Sequence, residues 1–145
     1  MDYKLELVLI PVTDVDRAKA FYTDQAGFKL EVDTKVNDQI RVVQATPPGS
    51  ACSIGFGTGI TKAEPGSAQG LHLVVSDIVA AHAELAERGV QVSDVRHLES
   101  GTWVPGPHPQ RGNYESFADF ADPDGNIWIL QEVDRSRGDQ EQGRT

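Results

Sequence analysis

Two stretches of this chain pass through the same succession of features, and that repetition limits the fold more than anything else in the sequence. Leu7 to Phe28 (LVLIPVTDVDRAKAFYTDQAGF) and Gly70 to Val90 (GLHLVVSDIVAAHAELAERGV) each open on an apolar run with β-branched residues, the pattern of a buried strand. Each run ends in a hydroxyl residue and an aspartate, Thr13-Asp14 and Ser76-Asp77, whose side-chain oxygens suit the start of a helix because they accept from its free N–H groups. A helical spacing of three and four follows: Val15, Ala18 and Tyr22 in one copy, Ile78, Ala81 and Leu85 in the other. Both helices stop at a glycine, Gly27 or Gly89, which takes a left-handed C′ position at no steric cost. The aspartates stand 63 residues apart and the glycines 62. So steady an offset implies one module used twice, too few copies for a solenoid.

After the first helix the pattern predicts strands at about 28–33, 39–46 and 51–57. The second copy predicts strands at about 90–95, 115–121 and 127–133, the first of them followed by a long loop, Glu99 to Asn113 (ESGTWVPGPHPQRGN), rich in Gly and Pro. Loops of that length in compact domains are usually functional or disordered, and Trp103 and Val104 argue against plain disorder. The 145 residues suit one domain, residues 1–133, made of module 1 (about 3–60) and module 2 (about 68–133). Asp134 to Thr145 has no apolar residue to offset the entropy of ordering, so residues 134–145 are expected to be a disordered tail.

A formal net charge of −9, with no basic cluster, disfavours nucleic acid and anionic membrane as partners. The N-terminal apolar run is too short to span a bilayer and lacks a signal-peptide layout. A lone cysteine, Cys52, excludes an internal disulfide and fits a reducing compartment, so the cytoplasm is the expected location. Cys52 lies in an apolar stretch and reads as a small buried hydrophobe before it reads as a reactive thiol.

The sequence Val12-Thr13-Asp14, then Phe21-Tyr22 and Gly27-Phe28, resembles the opening of a module of the glyoxalase/bleomycin-resistance/extradiol-dioxygenase (vicinal oxygen chelate) superfamily. The closing Phe120-Ala121-Asp122-Pro123-Asp124-Gly125-Asn126 resembles the family's last hairpin, and as local chemistry it is a tight turn between strands. The resemblance covers nearly everything from Leu5 to Val133. It implies an α+β fold of two βαβββ modules whose mixed sheets curl into a cup, a substrate pocket inside the cup, commonly a divalent metal on its floor, and often a homodimer.

The resemblance also says where metal ligands would stand: Leu7 in the first strand, Gly70 in the matching strand of the second module, and Ile129 in the last strand. Two hydrocarbons and a glycine cannot coordinate a metal. A slip of one residue gives Glu6, Leu71 and Trp128 or Leu130, which makes no cluster either. No cofactor is therefore expected, and a divalent metal belongs to the alternative reading only. By strand alternation His72 shares the face of Gly70, Leu9 that of Leu7, and Ile127 and Gln131 that of Ile129. The expected floor is apolar with two polar features, His72 and Gln131, as in a site for a small organic ligand.

Other residues carry paired readings. His72 is a satisfied core histidine, a substrate contact or proton carrier, or a metal ligand. His82 reads as a solvated helix residue, His97 as a candidate for the pocket rim, and His108, between two prolines, as exposed or functional. Trp103 is either a lid residue stacking on a flat ligand or the anchor that packs its loop. Arg41 and Gln44, three apart on one strand, face opposite ways, so at most one enters the cup. Glu132 faces away from the cup by parity. There is no nucleophile elbow, phosphate loop or dinucleotide fingerprint.

The expectation is a binder of a small organic molecule in an apolar cup without a metal, through Leu7, Leu9, His72, His97, Trp103, Ile129 and Gln131. The alternative is an enzyme, a lyase or isomerase using His72 as the catalytic group with loop residues, or a dioxygenase-type protein with a divalent metal.

Overall fold

In a computed structural model, which describes residues 1–137, the chain divides into two compact units. The first comprises Met1–Gln69 together with Asp122–Asn126; the second comprises Gly70–Ala121 and the chain from Ile127 onward.

In the first unit β1 (Leu7–Leu9) leads into α1 (Val15–Ala20), followed by β2 (Lys29–Lys35), β3 (Arg41–Thr46) and β4 (Ser53–Thr58). The Asp14 carboxylate accepts from the Arg17 N–H at 3.0 Å and starts α1. The helix then widens into a π turn, Phe21–Gln25, which brings the adjacent rings of Phe21 and Tyr22 both into the core. Gly27, at φ 79°, supplies the left-handed stop. The sheet order is β1-β4-β3-β2, with β1 parallel to β4 and the other pairs antiparallel. Val8 pairs with Ile54 and Val43 with Phe56. The helix side of this sheet is closed by Ala18 and by the Tyr22 ring, 5.5 Å from Phe56 and 5.6 Å from Phe28.

The turn Asp122–Asn126 completes that core. The Tyr22 hydroxyl donates to Asp122 Oδ2 at 2.6 Å in a buried contact. Asn126 Nδ2 donates to the same carboxylate and to the Pro11 carbonyl, each at 2.8 Å, and its Oδ1 accepts from the Ala68 N–H at 2.9 Å. Asp122 Oδ1 takes the N–H groups of Asp124 and Asn126 at 2.9 and 3.0 Å, and Thr13 Oγ1 donates to Asp124 at 2.7 Å. The DPDGN sequence is thus more than a hairpin: every buried polar atom in it has a partner that fixes the segment in the first unit.

In the second unit β5 (Leu71–Val75) leads into α2 (Ile78–Glu87), and β6 (Arg96–Glu99), β7 (Thr102–Pro105), β8 (Ser116–Ala121) and β9 (Ile127–Glu132) follow. Asp77 caps α2 by accepting from the Val79 and Ala80 N–H groups at 3.1 and 3.2 Å. The sheet order is β5-β9-β8-β6-β7, with β5 parallel to β9. Trp128, Leu130, Ala118 and Phe120 fill the helix side, where the rings of Phe120 and Trp128 stack at 6.2 Å. Together the two mixed sheets and few helices make an α+β, two-module fold.

Two expectations for this unit need correction. The strand foreseen at about 90–95 lies six residues further on, at Arg96–Glu99, where the backbone forms a ladder with Ser116 and Phe117 of β8 and with Thr102–Pro105; before it, Ser93 and Val95 make only isolated backbone bonds, to Asp119 and Gly106. The segment 99–113 is also not one long loop. Thr102–Pro105 pairs antiparallel with β6, so Trp103 sits on a strand opposite Leu98. The tail expected from Asp134 begins with a backbone bond from the Asp134 N–H to Asn113 Oδ1 at 2.7 Å and a 3-10 turn over Arg135–Arg137. Residues 138–145 of that tail lie outside the described residues.

Candidate functional site

Each sheet has one face packed under its helix and one turned away from it. In the first unit the far face carries Leu7 and Leu9, paired with Ser53 and Gly55, and Gln44, also paired with Gly55. A Cβ on Gly55 would meet Leu9 Cδ2 at 3.1 Å and Leu7 Cδ1 at 3.3 Å, so the glycine is what lets both leucines lie down on the sheet. Arg41 points the other way, where it binds Asp33 at 3.0 Å and Asp16 at 2.9 Å. Asp33 also holds Lys19 at 2.8 Å, and the Arg41 and Lys19 cations pull its carboxyl down to about 2.

In the second unit the register settles the far face residue by residue. His72 pairs with Ile129 and Val74 with Gln131; Gln131 pairs with Phe117 and Ile129 with Asp119. Arg96 pairs with Phe117 and Pro105, and Leu98 with Trp103. Alternation therefore gathers His72, Ile129, Gln131, Phe117, Asp119, Arg96, Leu98 and Trp103 on one surface. Ile127 joins them, paired with Ala121.

The surface has a built centre. The Trp103 ring meets the Phe117 ring edge-to-face at 5.6 Å, and the Arg96 guanidinium lies over the indole at 4.9 Å. Arg96 is braced by Asp119 Oδ2 at 2.9 Å and Ser93 Oγ at 3.1 Å, and Ser93 is tied to Asp119 through both backbone N–H groups. Trp103 is nevertheless 49% exposed and Leu98 46%. A tryptophan held from one side and wet on the other has a surface that gains by being covered. At the other end of the sheet His72 Nδ1 lies 2.8 Å from the Gly70 carbonyl, so Nδ1 carries a proton and, in the neutral ring, Nε2 the lone pair.

The structure thus groups six of the sequence-derived residues unevenly. His72, Trp103, Ile129 and Gln131 share one face of the second unit, while Leu7 and Leu9 share a face of the first. His97 does not belong with Trp103. It pairs with Ser116, and strand alternation turns it to the buried side of β6, where it is 3% exposed. The pocket-rim expectation for His97 rested on its opening a loop, and a residue inside a strand has its face fixed by parity instead. Arg96, Phe117 and Asp119 went unnoticed in the sequence. Their signal was the alternation of β8 and of Arg96 with Leu98, readable only once β6 is placed at 96. His82 is half-buried on α2, and His108 is half-buried with Nε2 at 2.9 Å from Glu115.

The residues do not fit a divalent metal. Leu7, Gly70 and Ile129 offer no donor, and among the described residues no group of three His, Cys, Asp or Glu side chains is placed to hold one. No helix among the described residues is long and apolar enough to cross a membrane.

A βαβββ module used twice, each sheet keeping one face clear of its helix, defines the class of protein. The chain belongs to the Glyoxalase/Bleomycin resistance protein/Dioxygenase superfamily, whose family model matches residues 4–130. It is similar to the crystal structure of TnmS3, an antibiotic binding protein from Streptomyces sp. CB03234, with 32% identity and a TM-score of 0.70 over 90% of this chain and 96% of that one. A glyoxalase/bleomycin resistance protein from the same Streptomyces is 33% identical, with a TM-score of 0.67 over 88% of this chain and 99% of that one. Among curated proteins, uncharacterized protein YetH of Bacillus subtilis (strain 168) is 22% identical over 127 residues, 86% of this chain and 94% of its own length.

Proposed function

We propose that this protein binds a flat, largely apolar organic molecule on the far face of its second sheet, without a metal and without turning it over. The observation that carries the reading is Trp103, half-exposed yet oriented by Phe117 and by an Arg96 that Asp119 holds in place. Preorganised aromatic surface costs little entropy to use, and the polar groups around it, Arg96, Asp119, Gln131 and His72, set the orientation of a bound molecule. Similarity to an antibiotic binding protein, at 32% identity, supports an antibiotic-like ligand. Leu7 and Leu9 give the first unit an apolar face of the same character. The lone Cys52 suits a cytoplasmic setting.

One observation favours the alternative of acid–base catalysis. The free lone pair on His72 Nε2 stands on the same face and is able to accept a proton from a bound substrate. In that event His72→Gln would abolish turnover while leaving ligand affinity in place.

The test is a thermal-shift screen of planar metabolites and antibiotics, in which a ligand that binds only the folded state raises the melting temperature. Trp103→Ala should weaken true hits by about 1–3 kcal/mol, the range for burying a large apolar side chain. Hits that bind the variant unchanged refute the site. Native mass spectrometry of untagged protein should show two copies, since the unpaired edges of β1, β2, β5 and β7 need cover, and no retained metal.

A further inference from the structure

Both ring nitrogens of His97 face acceptors. Nδ1 lies 2.7 Å from the carbonyl oxygen of Gly106, which has no proton to give, and Nε2 lies 2.8 Å from Glu99 Oε2. A neutral imidazole carries one N–H and one lone pair, so in this setting one nitrogen would point its lone pair at another. Only the doubly protonated ring satisfies both contacts. We infer that His97 is a proton-operated latch: with two protons it ties Glu99, at the tip of the β6–β7 hairpin, to Gly106 beyond its end, and on losing one it lets Glu99 go.

The two sides of the latch are not equally free. Gly106 is fixed by its own N–H, which donates to the Val95 carbonyl at 2.7 Å. The Glu99 side chain is 54% exposed and can turn into water, whereas His97 is 3% exposed and cannot. Deprotonation therefore keeps the Nδ1–H bond to Gly106 and releases Glu99. Glu99 pairs with Thr102 and its neighbour Leu98 with Trp103, so release loosens the tip that presents the tryptophan on the opposite face.

The two carboxylates near the ring, Glu99 and Glu115, act in one direction. Glu99 comes from β6 itself. The segment after β7 brings the His108 ring, 5.5 Å away and edge-on, whose Nδ1 accepts from the Gln110 N–H and whose Nε2 meets Glu115. Glu115, leading into β8, favours the cation from a distance, and Ser116 of β8 is uncharged. The hydrogen bond to Glu99, then that to Gly106, raise the His97 pKa above the ordinary value, against the opposing effect of burial. A raised histidine pKa adds stability that is fully present below about 6.5 and is lost as pH rises through the higher folded value. The hairpin tip is thus tight on the acid side and loose on the alkaline side.

The inference does not depend on any ligand, and its test uses the full chain alone. Nitrogen-15 NMR of the labelled protein reads the two His97 ring nitrogens, the Trp103 indole N–H and the amides of residues 99–102 in one pH titration. Expected is a His97 midpoint above about 6.5, the ordinary histidine value, with the indole signal shifting and the tip amides losing exchange protection on the same curve. Glu99→Gln, a change at a half-exposed side chain, should fold normally, lower the His97 midpoint and uncouple Trp103 from pH. An unprotonated His97 nitrogen on the acid side of the titration overturns the inference. So does a Trp103 signal that stays still while His97 titrates, or a midpoint that Glu99→Gln leaves unmoved.

Discussion

Glu132 is 0% exposed, and Arg111 reaches it with two hydrogen bonds, Nε to Oε1 at 2.9 Å and Nη2 to Oε2 at 2.6 Å. The same carboxylate accepts the Ile78 N–H at 2.9 Å, and Arg111 also touches the α2 cap, Asp77, at 3.1 Å. One pair therefore joins the last strand, the start of α2 and the segment before β8. Arg111→Ala leaves the Glu132 carboxylate buried without its guanidinium, the Ile78 N–H still donating to it. Removing one partner of a buried ion pair costs about 3–5 kcal/mol, and because the Arg111 side chain is 35% exposed water can enter and the low end applies, about 3 kcal/mol. For a domain of this size that lowers the midpoint of thermal unfolding by about 10 °C. Urea denaturation at pH 7 and calorimetry would measure it. The deficit should shrink as pH falls, because the stranded carboxyl then takes up a proton in the folded state. The pair Arg111→Met/Glu132→Leu, with no stranded charge, should lose less than Arg111→Ala despite carrying two changes. A loss under about 1 kcal/mol for Arg111→Ala, or a double variant worse than the single one, would falsify the view that Glu132 depends on this guanidinium.

Tyr22→Phe should lower stability by about 2 kcal/mol in urea, since the buried Asp122 carboxylate loses a donor while its bonds from Asn126 persist; a change within about 0.5 kcal/mol would argue against it. Asp33, held near 2 chiefly by Arg41 and then by Lys19, contributes stability present above about 3.9, the unfolded value, and lost as pH falls through about 2. Screening at this surface network keeps the contribution to about 1 kcal/mol, and Asp33→Asn should flatten that part of the acid-stability curve.

How much of this was legible in the sequence follows the range of the interaction. The duplicated start of each module could be read because its signals are local. Asp14 and Asp77 cap their own helices, and Gly27 and Gly89, at φ 79° and 88°, end them. The far-face residues of β5 and β9 followed from strict alternation. What failed was the stretch from Val90 to Asn113. VQVSDV alternates like a strand but finds no ladder, while RHLE has one strong apolar residue and becomes a strand because β8 lies beside it. That shift of six residues decided the face of His97 and hid Arg96. The Arg111–Glu132 pair spans 21 residues and needs Arg111 at φ 52°, which no spacing rule announces.

The turn Asp122–Asn126 has a consequence for how the protein is made. Tyr22, Pro11 and Ala68 belong to the first half of the chain, yet their buried partners, Asp122 and Asn126, are synthesised more than fifty residues after Gln69. A chain halted at residue 69 lacks the carboxylate that the Tyr22 hydroxyl donates to and the Asn126 amide that donates to the Pro11 carbonyl. On the ribosome, therefore, the first module is expected to collapse early but to complete this buried network only when residue 126 has emerged. The gene's two copies, alike as they are, share one buried polar network that the second must complete for the first.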